Sequence, residues 1–234
     1  MAEKIAIFLV YRTAMNRKGT KPGGRHERFE VPFDHRTTVM DGLEYIRTKI
    51  DDTIMYRHSC HHGSCGTCAM LINGDARLAC LTPVADFGSV PIEITPLQTL
   101  EGIGDLAVDP RKLFLDFPQN TTYIRTSETR SKALHPEELS GFHRLEDCIE
   151  CGICVSACPV VSPFAGPAAI AAYSREIENR PERESELLPR LDNDSGVFAC
   201  RRALKCSRDC PTGVNPARHI AELRRKIEKK KKAV

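Results

Sequence analysis

The chain has no Trp among its 234 residues, no uninterrupted apolar run long enough to cross a bilayer, and no strong excess of either charge. Each absence removes a class of function. A membrane-spanning helix needs about 20 predominantly apolar residues, and the closest stretch, 151–172, is broken by Pro159, Pro163 and Pro167. The net charge is +3, and no basic segment is interleaved with aromatics, so nothing marks nucleic-acid binding. Met1 to Phe8 lacks the charged, then apolar, then small-residue order of a secretory signal. No nucleophile or acid–base constellation stands out. What the chain does have is 11 Cys. An odd count argues against a closed set of disulfides, and thiols on the cytoplasmic side stay reduced. They are therefore read as metal ligands.

The first hundred residues read as a small α+β domain. Lys4 to Tyr11 is a β-rich run, and the alternating Arg28 to Phe33 predicts a hairpin partner, with Pro32 pointing to an edge or a strand end. Thr37 or Thr38 is placed to cap a helix over Val39 to Ile50, with Leu43, Ile46 and Ile50 on one face. Met70 to Ile72, then Asn73-Gly74, then Arg77 to Ala79 is a strong hairpin signal. Val90 to Ile94 predicts a further strand. From Thr95 to Ser140 the chain is punctuated by Gly and Pro and reads as a connector, with a short helix near Asp109 to Phe117. Beyond Pro136 the pattern is helical: Glu137 to Glu150, Pro167 to Glu178 and Pro216 to Lys231. The expected division is 1–104 and 105–234, with 105–136 as the connector.

Cys60, Cys65, Cys68 and Cys80 follow the C-x4-C-x2-C…C spacing of plant-type [2Fe–2S] sites. Gly63 and Gly66 allow the loop to fold tightly and turn backbone N–H groups toward the sulfurs. The Asn73-Gly74 hairpin can bring Cys80 back to the other three. Structural zinc sites show two separated ligand pairs instead, and a Rieske centre needs two His ligands. Here only His62 imitates one, and Cys65-x2-Cys68 brings none. His61 and His62 are read as loop residues.

Two further runs end in Cys-Pro. Cys148-x2-Cys151-x2-Cys154-x3-Cys158-Pro159 is complete, whereas Cys200-x2-Ala203-x2-Cys206-x3-Cys210-Pro211 has Ala where the second Cys should stand. The runs form a weak internal repeat. In two-cluster ferredoxins the fourth Cys of each run serves the other cluster. Cys148, Cys151, Cys154 and Cys210 then make a four-thiolate site, and Cys158, Cys200 and Cys206 a three-thiolate one. Ala cannot coordinate iron, so the economical assignment is one [4Fe–4S] and one [3Fe–4S] cluster. A [4Fe–4S] cluster with water or hydroxide on its fourth iron is the competing reading. Either way, every Cys of the chain is used.

Over nearly its whole length the chain resembles the iron–sulfur subunit of succinate dehydrogenase and fumarate reductase, the respiratory complex II family. The anchors are Ser59-Cys60 through Cys68, Ile72-Asn73-Gly74, Cys148-Ile-Glu-Cys-Gly-Ile-Cys154, Cys158-Pro159, Gly166-Pro-Ala-Ala169 and Cys206-Ser-Arg-Asp-Cys-Pro211. The Gly-Pro-Ala-Ala segment is closer to fumarate reductases. The resemblance implies an N-terminal β-grasp [2Fe–2S] ferredoxin domain followed by an all-α two-cluster domain of the bacterial ferredoxin type. It implies electron transfer between a partner flavoprotein holding FAD and a membrane quinone, by way of [2Fe–2S], [4Fe–4S] and [3Fe–4S]. It also implies one or more membrane-anchor subunits that bind haem or quinone, and a peripheral position on the cytoplasmic face of the cell membrane. Dicarboxylate chemistry would belong to the flavoprotein.

The sequence departs from the family pattern at several points. His61 follows Cys60 where the family commonly has Arg. Val160-Val-Ser-Pro163 follows Cys158-Pro159 where succinate dehydrogenases commonly carry a Ser and then a quinone-touching Trp. Arg201 stands where relatives often have His or Thr, and Arg224 where some fumarate reductases place a quinone-side Lys. Pro159, Arg201 and Arg224 are the candidate quinone-side residues, with ordinary surface charge as the plainer reading of the two arginines. The run Arg224 to Lys232 is read first as a solvated, frayed helix end suited to the helix dipole, and second as a patch for anionic lipid. Two other functions compete with the quinone relay. One is a subunit of a soluble, thiol-linked fumarate reductase; the other is a free-standing ferredoxin-like carrier, for which the connector and the extra helical segment have no use.

Overall fold

The computed structural model describes residues 4–13, 24–118, 148–160 and 162–232. Residues up to Lys112 pack together with Ile149–Ala157 as one compact unit, and the remaining described residues form a second.

In the first unit, β1 (Lys4–Thr13) alternates as the sequence predicts: Ala6, Phe8 and Val10 are buried while Ile5 faces outward. It pairs antiparallel with β2 (Gly24–Phe33), where Pro32 lies opposite Ile5. The sheet order is β2-β1-β5-β3-β4, which makes β2 an edge and explains why a residue without an N–H is tolerated there. The strand β5 (Ile92–Thr95) runs parallel to β1 and antiparallel to β3 (Ala69–Ile72), which in turn pairs with β4 (Asp75–Leu78). Asn73 and Gly74 form the two-residue turn between β3 and β4, with φ values of 48° and 82°. Asn73 also accepts a hydrogen bond from Glu93 N through its side-chain oxygen (2.6 Å) and donates its own N–H to Glu93 O (2.8 Å), tying the turn to β5.

Helix α1 (Val39–Lys49) lies on this mixed sheet. Thr38 caps it, in a capping box with Asp41. Val39, Met40, Leu43 and Ile46 are buried, but Ile50 sits past the last turn and is half exposed, outside the apolar face on which the periodicity places it. Gly42 is where the helix touches the sheet: a Cβ there would stand 2.4 Å from Phe8 Cζ and 2.7 Å from Phe8 Cε1. In an open helix Gly→Ala gains about 1 kcal/mol. Here overpacking against a fully buried ring, about 1–3 kcal/mol, outweighs that gain. Gly42→Ala is therefore expected to lower stability in a denaturant titration, and a rise would contradict this packing.

The segment expected as a connector contains a two-stranded ribbon, β6 (Glu101–Gly104) with β7 (Ala107–Asp109). The expected helix near Asp109 to Phe117 is a shorter 3₁₀ turn, Pro110–Phe114. Asp105, at the ribbon's tip, is buried and accepts the N–H of Thr13 (2.8 Å) and of Met55 (2.9 Å); its Oδ2 also lies 3.2 Å from Arg12 Nε. The ribbon was not legible because its two glycines break the apolar pattern, while its burial depends on partners far away in sequence. The short α2 (Ile153–Ser156) belongs to this unit. The helix expected over Glu137 to Glu150 falls outside the described residues except for Cys148–Glu150, which are not helical.

The second unit is built on two helices, α3 (Pro167–Asn179) and α5 (Pro216–Lys232), with the turn α4 (Lys205–Arg208) between them in sequence. No strand occurs among its described residues. Ile170 and Ile177 of α3 meet Ile220, Leu223 and Ile227 of α5 in a core completed by Leu187, Leu188, Leu191 and Val197. Ser174 Oγ lies 3.1 Å from His219 Nδ1 and links the helices within that core. The lysine-rich end of α5 is not frayed. It is helical to Lys232, with Lys226 and Lys230 paired to Glu184 (2.8 and 3.1 Å) and Lys231 to Asp192 (2.6 Å). Among the described residues no helix is long and apolar enough to cross a membrane.

Candidate functional site

All 11 cysteines fall within the described residues, and none is joined in a disulfide. In the first unit the β3–β4 hairpin brings Cys68, just before β3, to Cys80 on the 3₁₀ turn Ala79–Leu81 after β4; their sulfurs are 3.4 Å apart. The Ala79 N–H donates to Cys68 O (3.1 Å) and closes the hairpin there. Both thiols are buried, and burial pushes the Cys68 thiol up to about 12. The other two sit in a loop whose amides turn inward. Cys60 Sγ accepts from the N–H groups of His62 (3.5 Å), Ser64 (3.3 Å) and Cys65 (3.4 Å), and Cys65 Sγ accepts from Cys60 N (3.5 Å). The amide of His62 is the largest of the influences that bring Cys60 down to about 5.

These residues fit a thiolate-bound iron cluster. The N–H groups stabilise negative sulfur on one side of the loop, and on the other a dry pair of thiols requires a bound cation before it can ionise. Thr67 Oγ1, 3.1 Å from Cys65 Sγ, is a further neighbour that the spacing of cysteines did not disclose. His61 Nε2 lies 2.9 Å from His58 Nδ1, and His62 reaches Cys60 O and Ser64 Oγ.

The two Cys-Pro runs share a pair of left-handed residues around the second ligand position. In the first, Glu150 and Gly152 flank Cys151 with φ of 55° and 78°, and α2 starts after Gly152. In the second, Arg202 and Leu204 flank Ala203 with φ of 57° and 61°, and α4 starts after Leu204. Two non-glycine residues in the left-handed region cost on the order of 1–3 kcal/mol each. Ala203 thus retains the backbone setting of a ligand without the sulfur. Nothing in the sequence showed this strain, because neither Arg nor Leu signals positive φ.

Within the second unit, Cys158, Cys200 and Cys206 line one cavity together with Ala203, Pro159 and Arg201. Burial pushes the Cys158 and Cys206 thiols up, and the mutual proximity of the three sulfurs adds to it. Arg202 N–H donates to Cys200 Sγ (3.5 Å). Cys148 and Cys210 both pack against Ala171 and Val214 in this unit. Cys151 and Cys154 lie in the first unit, on the segment carrying α2. Arg224 is not among the residues lining the cavity; it pairs with Glu228 (3.0 Å) and lies 5.0 Å over the Phe198 ring.

Residues 7–115 match a 2Fe-2S iron-sulfur cluster binding domain, and residues 144–214 match a 4Fe-4S dicluster domain. The chain is 36% identical over 203 residues to a fumarate reductase iron-sulfur subunit of Mycobacterium tuberculosis, covering 82% of this chain and 81% of that protein. It is 32% identical over 202 residues to a protein of the same description in Escherichia coli, covering 83% and 82%. Its fold matches a chain of the Mycobacterium smegmatis Sdh1 complex in the apo form, with a TM-score of 0.79, 21% identity and 98% coverage of both chains. The first unit accordingly holds a β-grasp [2Fe–2S] ferredoxin domain, and a helical dicluster domain follows it.

Proposed function

The chain belongs to the iron–sulfur subunits of the fumarate reductase and succinate dehydrogenase family, and on that premise we propose that it relays electrons between a FAD-containing flavoprotein acting on a dicarboxylate and a membrane quinone. It is a subunit of an oxidoreductase complex, and the substrate chemistry belongs to the partner. Cys60, Cys65, Cys68 and Cys80 are assigned to [2Fe–2S]. Cys148, Cys151 and Cys154 with Cys210 are assigned to [4Fe–4S], and Cys158, Cys200 and Cys206 to [3Fe–4S]. When bound, the clusters supply one-electron redox steps.

The observation that carries this reading is Ala203. It keeps the left-handed flanks of a ligand position and lines one cavity with three thiols, yet offers no donor atom. A three-thiolate site would hold a three-iron cluster in place of a four-iron one, and cluster type is a lever on potential. A higher-potential centre suits the quinone end. The N–H groups donated to Cys60 and Cys65 act on the flavin end by another lever, hydrogen bonds to the sulfurs. Pro159 and Arg201 border the three-thiol cavity, which supports our assigning them to the quinone side. Arg224 joins them as a flanking charge, held by Glu228 and Phe198. Attachment to the membrane is assigned to anchor subunits that bind quinone or haem, with this chain peripheral on the cytoplasmic face.

The test is electron paramagnetic resonance on the air-oxidised complex. An oxidised [3Fe–4S] cluster is paramagnetic and an oxidised [4Fe–4S]²⁺ cluster is not, so a signal is expected. Full iron content with no such signal would overturn the assignment. An active complex purified without any membrane subunit would favour the thiol-linked alternative over the quinone.

A further inference from the structure

Gly66 stands between Cys65 and Cys68, and its backbone touches the segment that carries Cys151. A Cβ on Gly66 would lie 2.7 Å from Ile149 O, 2.8 Å from Cys151 Cβ and 3.1 Å from Cys151 Cα. Contacts under 3.0 Å are essentially never seen for real Cβ atoms. Neither partner is the yielding end of a long side chain: one is a main-chain carbonyl, the other the root of an assigned ligand. Both sides of the contact belong to one compact unit. The Cys151 segment is also seated from another direction, since a Cβ on Gly152 would lie 3.3 Å from Leu100 Cδ1 and 3.5 Å from Leu97 Cδ1. The segment is therefore held between the cluster loop and two buried leucines.

We infer that Gly66 is a positioning residue that sets the separation between the [2Fe–2S] loop and Cys151, an assigned [4Fe–4S] ligand in the same unit, and with it the rate at which an electron passes between the two centres. The inference rests on the relay reading above. Electron transfer falls steeply with distance, and at this point the two ligand-bearing segments meet with no side chain between them. Each event moves one electron, oxidising one centre by one and reducing the other by one, with no proton or bond exchanged. A methyl group at residue 66 must push the loop and the Cys151 segment apart.

A simpler role for Gly66 would be its φ of +72° alone. Gly63 separates the two. It lies in the same loop with φ of +81°, but its Cβ would meet only the Leu81 side chain, which can turn away. Both Gly→Ala changes impose left-handed strain; only Gly66→Ala reaches Cys151.

The experiment uses the complete complex carrying Gly66→Ala or Gly63→Ala. The readouts are the microwave-power saturation of the reduced [2Fe–2S] signal, which a nearby reduced [4Fe–4S] centre relaxes, and the rate of electron passage between the two centres. Gly66→Ala is expected to slow passage and to make the signal saturate at lower power, and to do so more than Gly63→Ala, which strains the same cluster loop without reaching Cys151. Wild-type behaviour in Gly66→Ala, or the same defect in Gly63→Ala, overturns the inference. If Gly66→Ala fails to hold its [2Fe–2S] iron, Leu100→Ala decides. It loosens the seat behind Gly152 without touching the cluster loop and is expected to weaken the same relaxation; unchanged relaxation overturns the inference. A wild-type complex with no coupling between the centres would sink the relay reading itself.

Discussion

Ala203→Cys is expected to turn the three-iron centre into a four-iron one. The backbone is already set for a ligand, because Arg202 and Leu204 hold the same left-handed conformations that Glu150 and Gly152 hold around Cys151. Ala203 also lines the cavity with Cys158, Cys200 and Cys206, so a thiol built on its Cβ starts beside the other three. The variant should gain about one iron per chain by stoichiometry and lose the oxidised-state paramagnetic signal. Cluster type is itself a lever on potential, and the four-iron couple is expected to lie lower, on the order of 100 mV within the wide span of such clusters. Each ~59 mV shifts a one-electron equilibrium tenfold, so electron entry to this centre becomes unfavourable by well over tenfold. Quinone-linked turnover should fall accordingly, while artificial acceptors that take electrons earlier in the chain are spared. Redox titration followed by paramagnetic resonance reads the first effect, and paired assays with quinone and with a dye read the second. An unchanged signal with the thiol in place would show that something other than the missing ligand determines the cluster type.

The second large effect is on stability. Asp105→Ala is expected to destabilise the first unit by about 2–5 kcal/mol, because two backbone N–H donors lose their acceptor at about 1–3 kcal/mol each. Asp105 is the acceptor for two backbone N–H groups, at Thr13 and Met55, and neither has an obvious replacement when the carboxylate is gone. Arg12 keeps Asp51 at 2.5 Å and Glu27 at 3.4 Å, so the loss falls mainly on the backbone donors. The junction matters to the metal site through the chain itself. Leu106 N–H donates to Met55 O (3.0 Å), so the ribbon tip grips Met55 from both sides, five residues before Cys60. Visible circular dichroism of the [2Fe–2S] centre during denaturant titration should therefore lose its signal early in the variant. Asp105→Asn, which retains an oxygen acceptor, should lose less. A change under about 0.5 kcal/mol, the ordinary range for a surface substitution, would mean that the junction does not hold the loop.

Local signals carried much of the fold. The alternation of Ala6, Phe8 and Val10, the Thr38–Asp41 capping box, and Asn73-Gly74 between two strands are decided by sterics and hydrogen bonds within a few residues, so they could be read directly. The cysteine spacings were legible for a related reason: a cluster needs thiolates at intervals that a tight loop can wrap, and a Cys-to-Ala gap in such a run is visible in the residues themselves. The ribbon around Asp105 was not legible, because what stabilises it is the burial of groups from β1 and the Met55 loop. The strain at Arg202 and Leu204 was equally hidden, since it persists only where surrounding packing imposes it.

By itself, the sequence determined how many thiols there are, how they are grouped, and that one place in the second Cys-Pro run has no ligand. Tertiary structure alone decided that Ala203 still occupies a ligand's backbone setting, that Cys158, Cys200 and Cys206 share one cavity with it, and that Gly66 lies against the Cys151 segment. The physical reason is range. Ligand identity and spacing are properties of neighbouring residues, whereas a shared cavity and a close backbone approach exist only when segments distant in sequence are packed against each other.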